Sequence, residues 1–371
     1  MALLCSAALL GACATDDGQL LTPPSPASDG AVVNFGAALM SDSIVTRAVG
    51  AIGSEGTSLQ THGFGVFACH TGLYRYGDSN IRPDFMYNEK VFWSAAGNQW
   101  TYNPLKYWPN GEGDSGEYPQ YVSFFAYAPY SDCDVSTSEG YCIPTFSYQF
   151  EQGNPWLTYR LHTDLSKQVD LLYCSPLIDQ TKPVADDAKV VFQFKHALAC
   201  VGDQLTVRVS SAMEQKLRET VDGISKKAVE VKITSVSITY QLTEKGRLDL
   251  WTADGTPQWQ TLSSESALCT RTVSFAPADY TLYSYSHTHG TAVARSWQDE
   301  GHGVFYIPIE VGGHPQTATI NVGYAVLTTD ESDVVTTESK TSTRVLTLSN
   351  YQDSYKAGRH LYLGISLSGN D

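Results

Sequence analysis

Short stretches in which apolar and polar residues alternate recur along nearly the whole chain, and long amphipathic helical patterns are nearly absent. Alternation with a period of two places every second side chain on one face of a β-strand. Glycine, proline, serine and threonine are frequent, as in the turns of β proteins. The pattern predicts an all-β chain, and a length of 371 residues favours two domains.

A polar link over residues 179–187 suggests where the two domains divide. We predict an N-terminal domain over residues 31–182 and a C-terminal domain over residues 183–371. The strands predicted from alternation or apolar runs are residues 63–69, 157–161, 169–174, 190–196, 205–209, 229–242, 270–275, 280–285, 304–311, 317–327, 344–348 and 360–367.

Two local features interrupt this pattern in the C-terminal half. Met213, Leu217 and Val221 recur every four residues and predict a short helix over residues 211–221. The alternation from Val229 to Leu242 changes phase near residue 234, which predicts a β-bulge.

Residues 85–130 hold the densest cluster of aromatic side chains in the chain. Most of these rings occur in alternating apolar runs, which favours packing in the core of a β-sandwich. A platform on which sugars stack is the functional alternative.

The first predicted strand, residues 31–38, has Val33, Phe35 and Ala37 on one face. A polar segment of small residues follows it and contains Arg47, the only lysine or arginine among the first 74 residues. An arginine in a loop is a cleavage site for a trypsin-like protease. We therefore predict that this strand completes a sheet in the precursor. Cleavage between Arg47 and Ala48 would remove it and leave a groove for a strand of another subunit.

Residues 1–12 form an apolar segment that ends in small residues, as a secretory signal peptide does. No charged segment precedes it, so we expect the signal to be incomplete. The run from Leu10 to Cys13 is similar to a bacterial lipobox, which predicts Cys13 as the lipidated N-terminus of an outer-membrane lipoprotein. Residues 13–30 would be an extended tether. An ordinary signal peptide is the alternative.

Six of the eight cysteines lie after Cys13, and they follow no metal-ligand spacing. Cys133 and Cys142 bracket a polar loop and form a candidate disulfide in an oxidising compartment. Cys69, Cys174 and Cys200 lie in or beside apolar runs, where we expect each to be a small buried hydrophobic side chain.

No sequence pattern of a known catalytic, nucleotide-binding or calcium-binding motif is present, so we expect no enzyme activity, catalytic residue or cofactor. A formal net charge of −15 argues against nucleic acid as a partner. His287, His289, His302 and His314 stand among Ser, Thr and Gly, and we interpret them as solvated loop residues rather than metal ligands. The acidic run over residues 330–333 fits no calcium-loop template and predicts a solvated turn.

Eight short motifs occur in a characteristic order: the lipobox at Cys13, Thr46-Arg47-Ala48, Gly65-Val66-Phe67-Ala68, Tyr107-Trp108-Pro109, Phe124-Phe125-Ala126-Tyr127-Ala128-Pro129-Tyr130, Asp170-Leu171-Leu172-Tyr173, Phe194-Lys195-His196-Ala197-Leu198 and Tyr355-Lys356-Ala357-Gly358. Together they cover nearly the whole chain. In this order they resemble the motifs of the fimbrillins, the subunits of type V pili.

The resemblance implies two tandem transthyretin-like β-sandwich domains in a protein exported as a lipoprotein. It implies cleavage at Arg47 by an arginine-specific protease and assembly with other pilin subunits by donor-strand insertion into a cell-surface fimbrium. Stalk-forming fimbrillins carry further strands after the segment at Gly358, whereas here one predicted strand remains. We therefore expect a tip or accessory pilin with an adhesive role, toward a host or bacterial surface ligand. A truncated gene model and a stalk pilin are the alternatives.

A surface glycan-binding lipoprotein is the second functional class, since it would share the lipobox, the β-sandwiches and the exposed aromatic rings. Proteolysis after Arg47 belongs only to the pilin hypothesis. Saturable binding of an oligosaccharide by the uncleaved monomer belongs to the alternative.

Overall fold

The structure is a computed structural model. It describes residues 30–40, 59–77, 81–110, 119–132, 145–146, 152–185, 188–223, 226–262, 268–351 and 355–369. In chain order the first ten strands are β1 (Asn34–Leu39), β2 (Phe64–Gly72), β3 (Met86–Ser94), β4 (Gln99–Thr101), β5 (Tyr121–Ala128), β6 (Thr145–Phe146), β7 (Trp156–Arg160), β8 (Leu172–Cys174), β9 (Leu177–Gln180) and β10 (Lys189–His196).

The later strands are β11 (Ala199–Val209), β12 (Lys226–Thr243), β13 (Lys245–Asp249), β14 (Gln258–Gln260), β15 (Leu268–Phe275), β16 (Thr281–Ser286), β17 (Val293–Ala294), β18 (Trp297–Glu300), β19 (Val304–Tyr306), β20 (Thr317–Asp330), β21 (Val335–Thr347) and β22 (His360–Leu367). The helical elements are α1 (Leu59–His62), α2 (Ser211–Gly223) and the 3-10 turns Leu165–Lys167 and Leu348–Asn350. The predicted all-β class is confirmed. No helix in these ranges is long and apolar enough to span a membrane.

An eight-stranded sheet in the first half has the order β1-β10-β8-β5-β2-β3-β4, with β9 also paired to β5. β1 and β4 are the two ends of this order, and they approach each other. The amide of Val33 donates to the carbonyl of Lys106 (2.9 Å), and the amide of Trp108 donates to the carbonyl of Ala31 (2.9 Å). The segment after β4 thus hydrogen-bonds to the start of β1, so the sheet curves almost onto itself.

The second half contains a six-stranded sheet, β17-β16-β12-β20-β21 with β15 on β12, and a four-stranded sheet, β18-β11-β19 with β22 on β11. Helix α2 packs on this core through Met213, Leu217 and Val221, which are all buried, as the four-residue repeat predicted. The pairing of β12 with β20 shifts register between Ile233 and Ser235, which is the predicted β-bulge.

Strands from the two sides of the predicted boundary at residues 182 and 183 share sheets. β10 pairs with β1 and β8, and β7 pairs with β13 in a further sheet of order β14-β13-β7-β6. The predicted link is partly a strand, since β9 pairs with β5. A third hydrophobic cluster, which includes Phe125, Tyr159, Leu248 and Phe305, joins the two halves. The division into two domains at this boundary stays a prediction.

Candidate functional site: the first strand and its groove

β1 lies at the edge of the eight-stranded sheet and runs parallel to β10. The register places Phe35 opposite Val190 and Leu39 opposite Phe194, and the amide of Met40 donates to the carbonyl of Phe194 at 2.8 Å. A parallel pair cannot be formed by a tight hairpin, because the chain must cross over between the two strands. β1 is therefore a strand whose partner lies about 150 residues away along the sequence.

The apolar face predicted from the sequence, Val33, Phe35 and Ala37, packs against the core. Val33 is 0% exposed and Phe35 is 1% exposed, whereas Ala37 and Leu39 are partly buried against the same cluster. The Phe35 ring lies 5.2 Å from that of Tyr102, 5.4 Å from that of Phe192 and 6.0 Å from that of Phe124, centroid to centroid. Without β1, these three rings would line the floor of an open groove.

A buried phenol holds Val33, the residue just before β1. The hydroxyl of Tyr102 donates to the carbonyl of Val33 at 2.8 Å and accepts a hydrogen bond from the amide of Lys106 at 3.2 Å. Burial raises the pKa of Tyr102, so the phenol stays protonated and remains a donor. Tyr102 therefore links β1 to the segment after β4.

Gly36 faces the neighbouring strand at close range. A Cβ atom added there would lie 3.2 Å from Cγ2 of Val191, which is tighter than an ordinary contact. A strand that occupies this position needs a small residue at that point, unless the Val191 side chain, which is 48% exposed, gives way.

Several predicted site residues lie outside the described residues: the lipidation residue Cys13, the processing pair Arg47 and Ala48, and the candidate disulfide pair Cys133 and Cys142. Their roles stay predictions. β1 ends at Leu39, eight residues before Arg47.

The three cysteines expected to be buried hydrophobic side chains are buried free thiols: Cys69, Cys174 and Cys200. Burial raises the pKa of the Cys174 thiol to about 11 and that of the partly buried Cys269 to about 12. These thiols stay protonated at neutral pH and are poor nucleophiles.

The four histidines considered as metal ligands are exposed, and His302 Nδ1 lies 2.5 Å from a carboxylate oxygen of Asp299. Within the described ranges no three His, Cys, Asp or Glu side chains are grouped as a metal ion would require. The acidic run is the turn between β20 and β21, where Asp330 accepts hydrogen bonds from the amides of Ser332 (2.9 Å) and Val334 (3.0 Å). Its carboxylate is used to shape the turn.

The rings of the aromatic cluster mostly face the core. Phe124, Phe125, Tyr127, Tyr102 and Trp108 are buried, as predicted. Phe92 is 41% exposed, and Trp93 and Trp100 are partly exposed.

Comparison with known proteins places the chain in a family. The family model described as fimbrillin-like matches residues 46–360. The fimbrium subunit Fim1C of Phocaeicola vulgatus is 31% identical over 147 residues, which are 38% of this chain and 36% of that subunit. The match thus spans about a third of the length of the relative.

The crystal structure of a fimbrial protein from Bacteroides vulgatus ATCC 8482 has a TM-score of 0.58 and 19% identity, covering 90% of this chain and 95% of that one. This similarity shows a shared fold. Since the family model covers most of the sequence, the chain belongs to the fimbrillin-like family.

Proposed function

We propose that this fimbrial subunit joins its filament by exchanging β1 for a strand of another subunit. The observation that carries the proposal is the position of β1: an edge strand bound to a partner strand that is remote in sequence, with Phe35 and the preceding residue Val33 fully buried. The subunit would be exported as a lipoprotein on Cys13, held at the outer membrane, and cut after Arg47 by an arginine-specific protease.

Energetics explain why cleavage would control the exchange. Burial of side chains such as Val33 and Phe35 stabilises the strand by about 1.5–3 kcal/mol each, and the ladder hydrogen bonds add about 0.5–1.5 kcal/mol each. While the strand is tethered, its effective concentration at the groove is on the order of millimolar or higher. Cutting the tether removes this advantage, so an incoming strand can compete for the same groove.

The groove specifies the incoming strand. Such a strand must place apolar side chains at the positions of Val33 and Phe35 and a small residue at the position of Gly36. It must also satisfy the edge of β10, whose unpaired backbone groups would otherwise face solvent.

The place of the subunit in the fimbrium, as a tip or accessory pilin with an adhesive role, stays part of the proposal. Among the described residues the last strand, β22, is paired along its length with β11, and Leu361, Leu363, Ile365 and Leu367 are buried in the chain's own core. β22 is therefore integral to this subunit. We expect the groove to accept a strand that a neighbouring subunit supplies.

The test is limited cleavage of the full chain by an arginine-specific protease, followed by N-terminal sequencing. We expect one early new N-terminus at Ala48, followed by binding of a synthetic peptide with the sequence of residues 31–40. The matched control is Arg47→Gln, which should resist this cut and bind no peptide. The proposal fails if Arg47 resists cleavage in the folded protein, or if the cut protein unfolds and cannot bind the peptide.

A further inference from the structure

A cleft of about 640 Å³ opens between the start of β1 and β4. The polar and aromatic side chains that line it include Asn34, Gln99, Trp100, Thr101, Tyr102 and Lys182. Its volume lies in the range of small-molecule sites, which is about 300–1,000 Å³. The lining comes from three segments that are remote in sequence and meet because the sheet curves.

The polar groups of the cleft are suited to a ligand with many hydroxyl groups. The amides of Asn34 and Gln99 can each donate and accept, and the hydroxyl of Thr101 can do both. The only charged side chain in the lining is Lys182, a donor, although the whole chain has a formal net charge of −15. The lining therefore offers hydrogen bonds in both directions and no carboxylate that would repel an acidic ligand.

An indole ring stands beside these groups in a fixed orientation. The Trp100 ring packs edge-to-face against Phe64 at 4.9 Å and against Trp93 at 5.4 Å, and it remains partly exposed. The face of an aromatic ring carries negative charge density, which attracts the polarised C–H groups of a sugar ring. Because its neighbours hold the ring, little conformational entropy is lost when a ligand stacks on it.

An extended peptide is a poorer fit at the β1 side of the cleft. A peptide would bind by adding a strand to a free edge. Here the amide of Val33 donates to the carbonyl of Lys106, and the carbonyl of Val33 accepts a hydrogen bond from the hydroxyl of Tyr102. The backbone edge that a peptide would need at Val33 is already occupied.

We propose that this cleft binds a saccharide, with Trp100 as the stacking surface and Asn34, Gln99, Thr101 and Lys182 as hydrogen-bonding groups. Part of the wall belongs to Asn34 of β1 and to Gly30, Ala31 and Val32 just before it. If β1 is exchanged as proposed, residues of the donor strand replace this part of the wall. The cleft therefore has one ligand affinity with β1 in place and another with the donor strand.

The experiment uses the full chain with Arg47→Gln, so that β1 stays in place, on an array of neutral and acidic oligosaccharides. The strongest hit is then titrated calorimetrically. We expect Trp100→Ala to weaken binding about tenfold or more, because it removes the stacking surface. Gln99 is exposed, so Gln99→Ala should weaken binding by about threefold to tenfold with an unchanged melting temperature.

Tyr74→Ala is the matched control, since this exposed ring lies outside the cleft and its loss should leave the affinity unchanged. The proposal is overturned if the array shows no bound saccharide, or if Gln99→Ala and Trp100→Ala bind the hit as tightly as the parent. It is equally overturned if only an extended peptide binds the cleft. These outcomes do not bear on strand exchange, which is measured on the cleaved protein with a peptide.

Discussion

β1 and β22 are the first and last strands of the described chain. Both pair in parallel with a single neighbouring strand, but they differ in how many buried side chains they contribute to the core. Each runs parallel to one of two consecutive strands, β1 on β10 and β22 on β11. β1 buries Phe35 fully and is preceded by the buried Val33, whereas β22 buries four branched aliphatic side chains and His360. Under the proposed exchange, an edge strand that supplies little of the core can be replaced, whereas one that supplies more stays part of the subunit.

The polar contacts of the two strands differ as well. The residue just before β1 is held by the Tyr102 phenol, which donates to the carbonyl of Val33. In β22, His360 Nδ1 lies 3.4 Å from a carboxylate oxygen of Asp203, and both side chains are almost fully buried. Among the described residues His360 Nδ1 makes no hydrogen bond, so β22 differs from β1 by the burial of the His360 side chain and not by a polar contact of it.

The largest expected effect comes from truncating the central apolar residue of each strand. Leu363→Ala should lower the free energy of unfolding by about 2–5 kcal/mol, and Phe35→Ala by about 3–5 kcal/mol in the uncut protein. Urea unfolding measures both. After cleavage and replacement of β1 by a donor peptide, the cost of Phe35→Ala should disappear, because residue 35 is no longer part of the core.

The cost of Leu363→Ala should persist through the same exchange. An equal cost of Phe35→Ala before and after the peptide binds would show that β1 never leaves. Ala38→Ser, an exposed position on β1, is the control and should stay within about 0.5 kcal/mol in both states.

Removing the hydroxyl of a buried tyrosine should have a smaller effect on stability, and two tyrosines can be compared. Tyr102→Phe removes the donor to the Val33 carbonyl and should cost about 1–2 kcal/mol, with faster release of β1 after the cut. Tyr240→Phe is the matched control, because the Tyr240 hydroxyl is buried with no hydrogen-bond partner among the described residues. Its removal should leave stability unchanged or raise it slightly.

Thermal unfolding of the two variants, together with the rate of β1 release from the cut chain, provides the measurement. Equal destabilisation by both substitutions would contradict the role given to Tyr102.

The smallest effect concerns the surface of β22. The hydroxyl of Ser366 accepts a hydrogen bond from Nε of Arg208 at 3.0 Å in an exposed position. Ser366→Ala should change the free energy of unfolding by less than about 0.5 kcal/mol, since exposed pairs compete with water. A cost above about 1.5 kcal/mol in urea unfolding would mean that surface contacts, rather than the apolar residues, hold β22.

Local patterns in the sequence predicted the elements whose signal is local. The bounds of β22, the helix at Met213, Leu217 and Val221, and the bulge after Ile233 all follow from apolar periodicity. The sequence predicts β21 only over residues 344–348, whereas the strand spans Val335–Thr347. The earlier part has no apolar alternation because it consists mainly of Thr, Ser, Lys and Glu residues. Edge strands with polar faces lack the hydrophobic signal.

Pairing between remote strands was not predictable in the same way. Nothing in the residues of β1 or β10 specifies that they pair in parallel, and the sequence placed β10 beyond the domain boundary. The saccharide cleft escaped prediction for the same reason, since Asn34, Gln99 and Lys182 lie in three separate segments. The one usable signal was Trp100 within the aromatic cluster, where core packing was the favoured interpretation.

Hydrogen–deuterium exchange on the chain cut after Arg47 tests most directly whether β1 leaves while β22 stays. The account predicts that loss of the β1 peptide exposes the amides of β10 to fast exchange, while the amides of β11 and β22 keep their protection. Addition of a peptide with the sequence of residues 31–40 should restore protection in β10. Simultaneous loss of protection in β10 and β22, or lasting protection of β10 with β1 retained, would contradict the account.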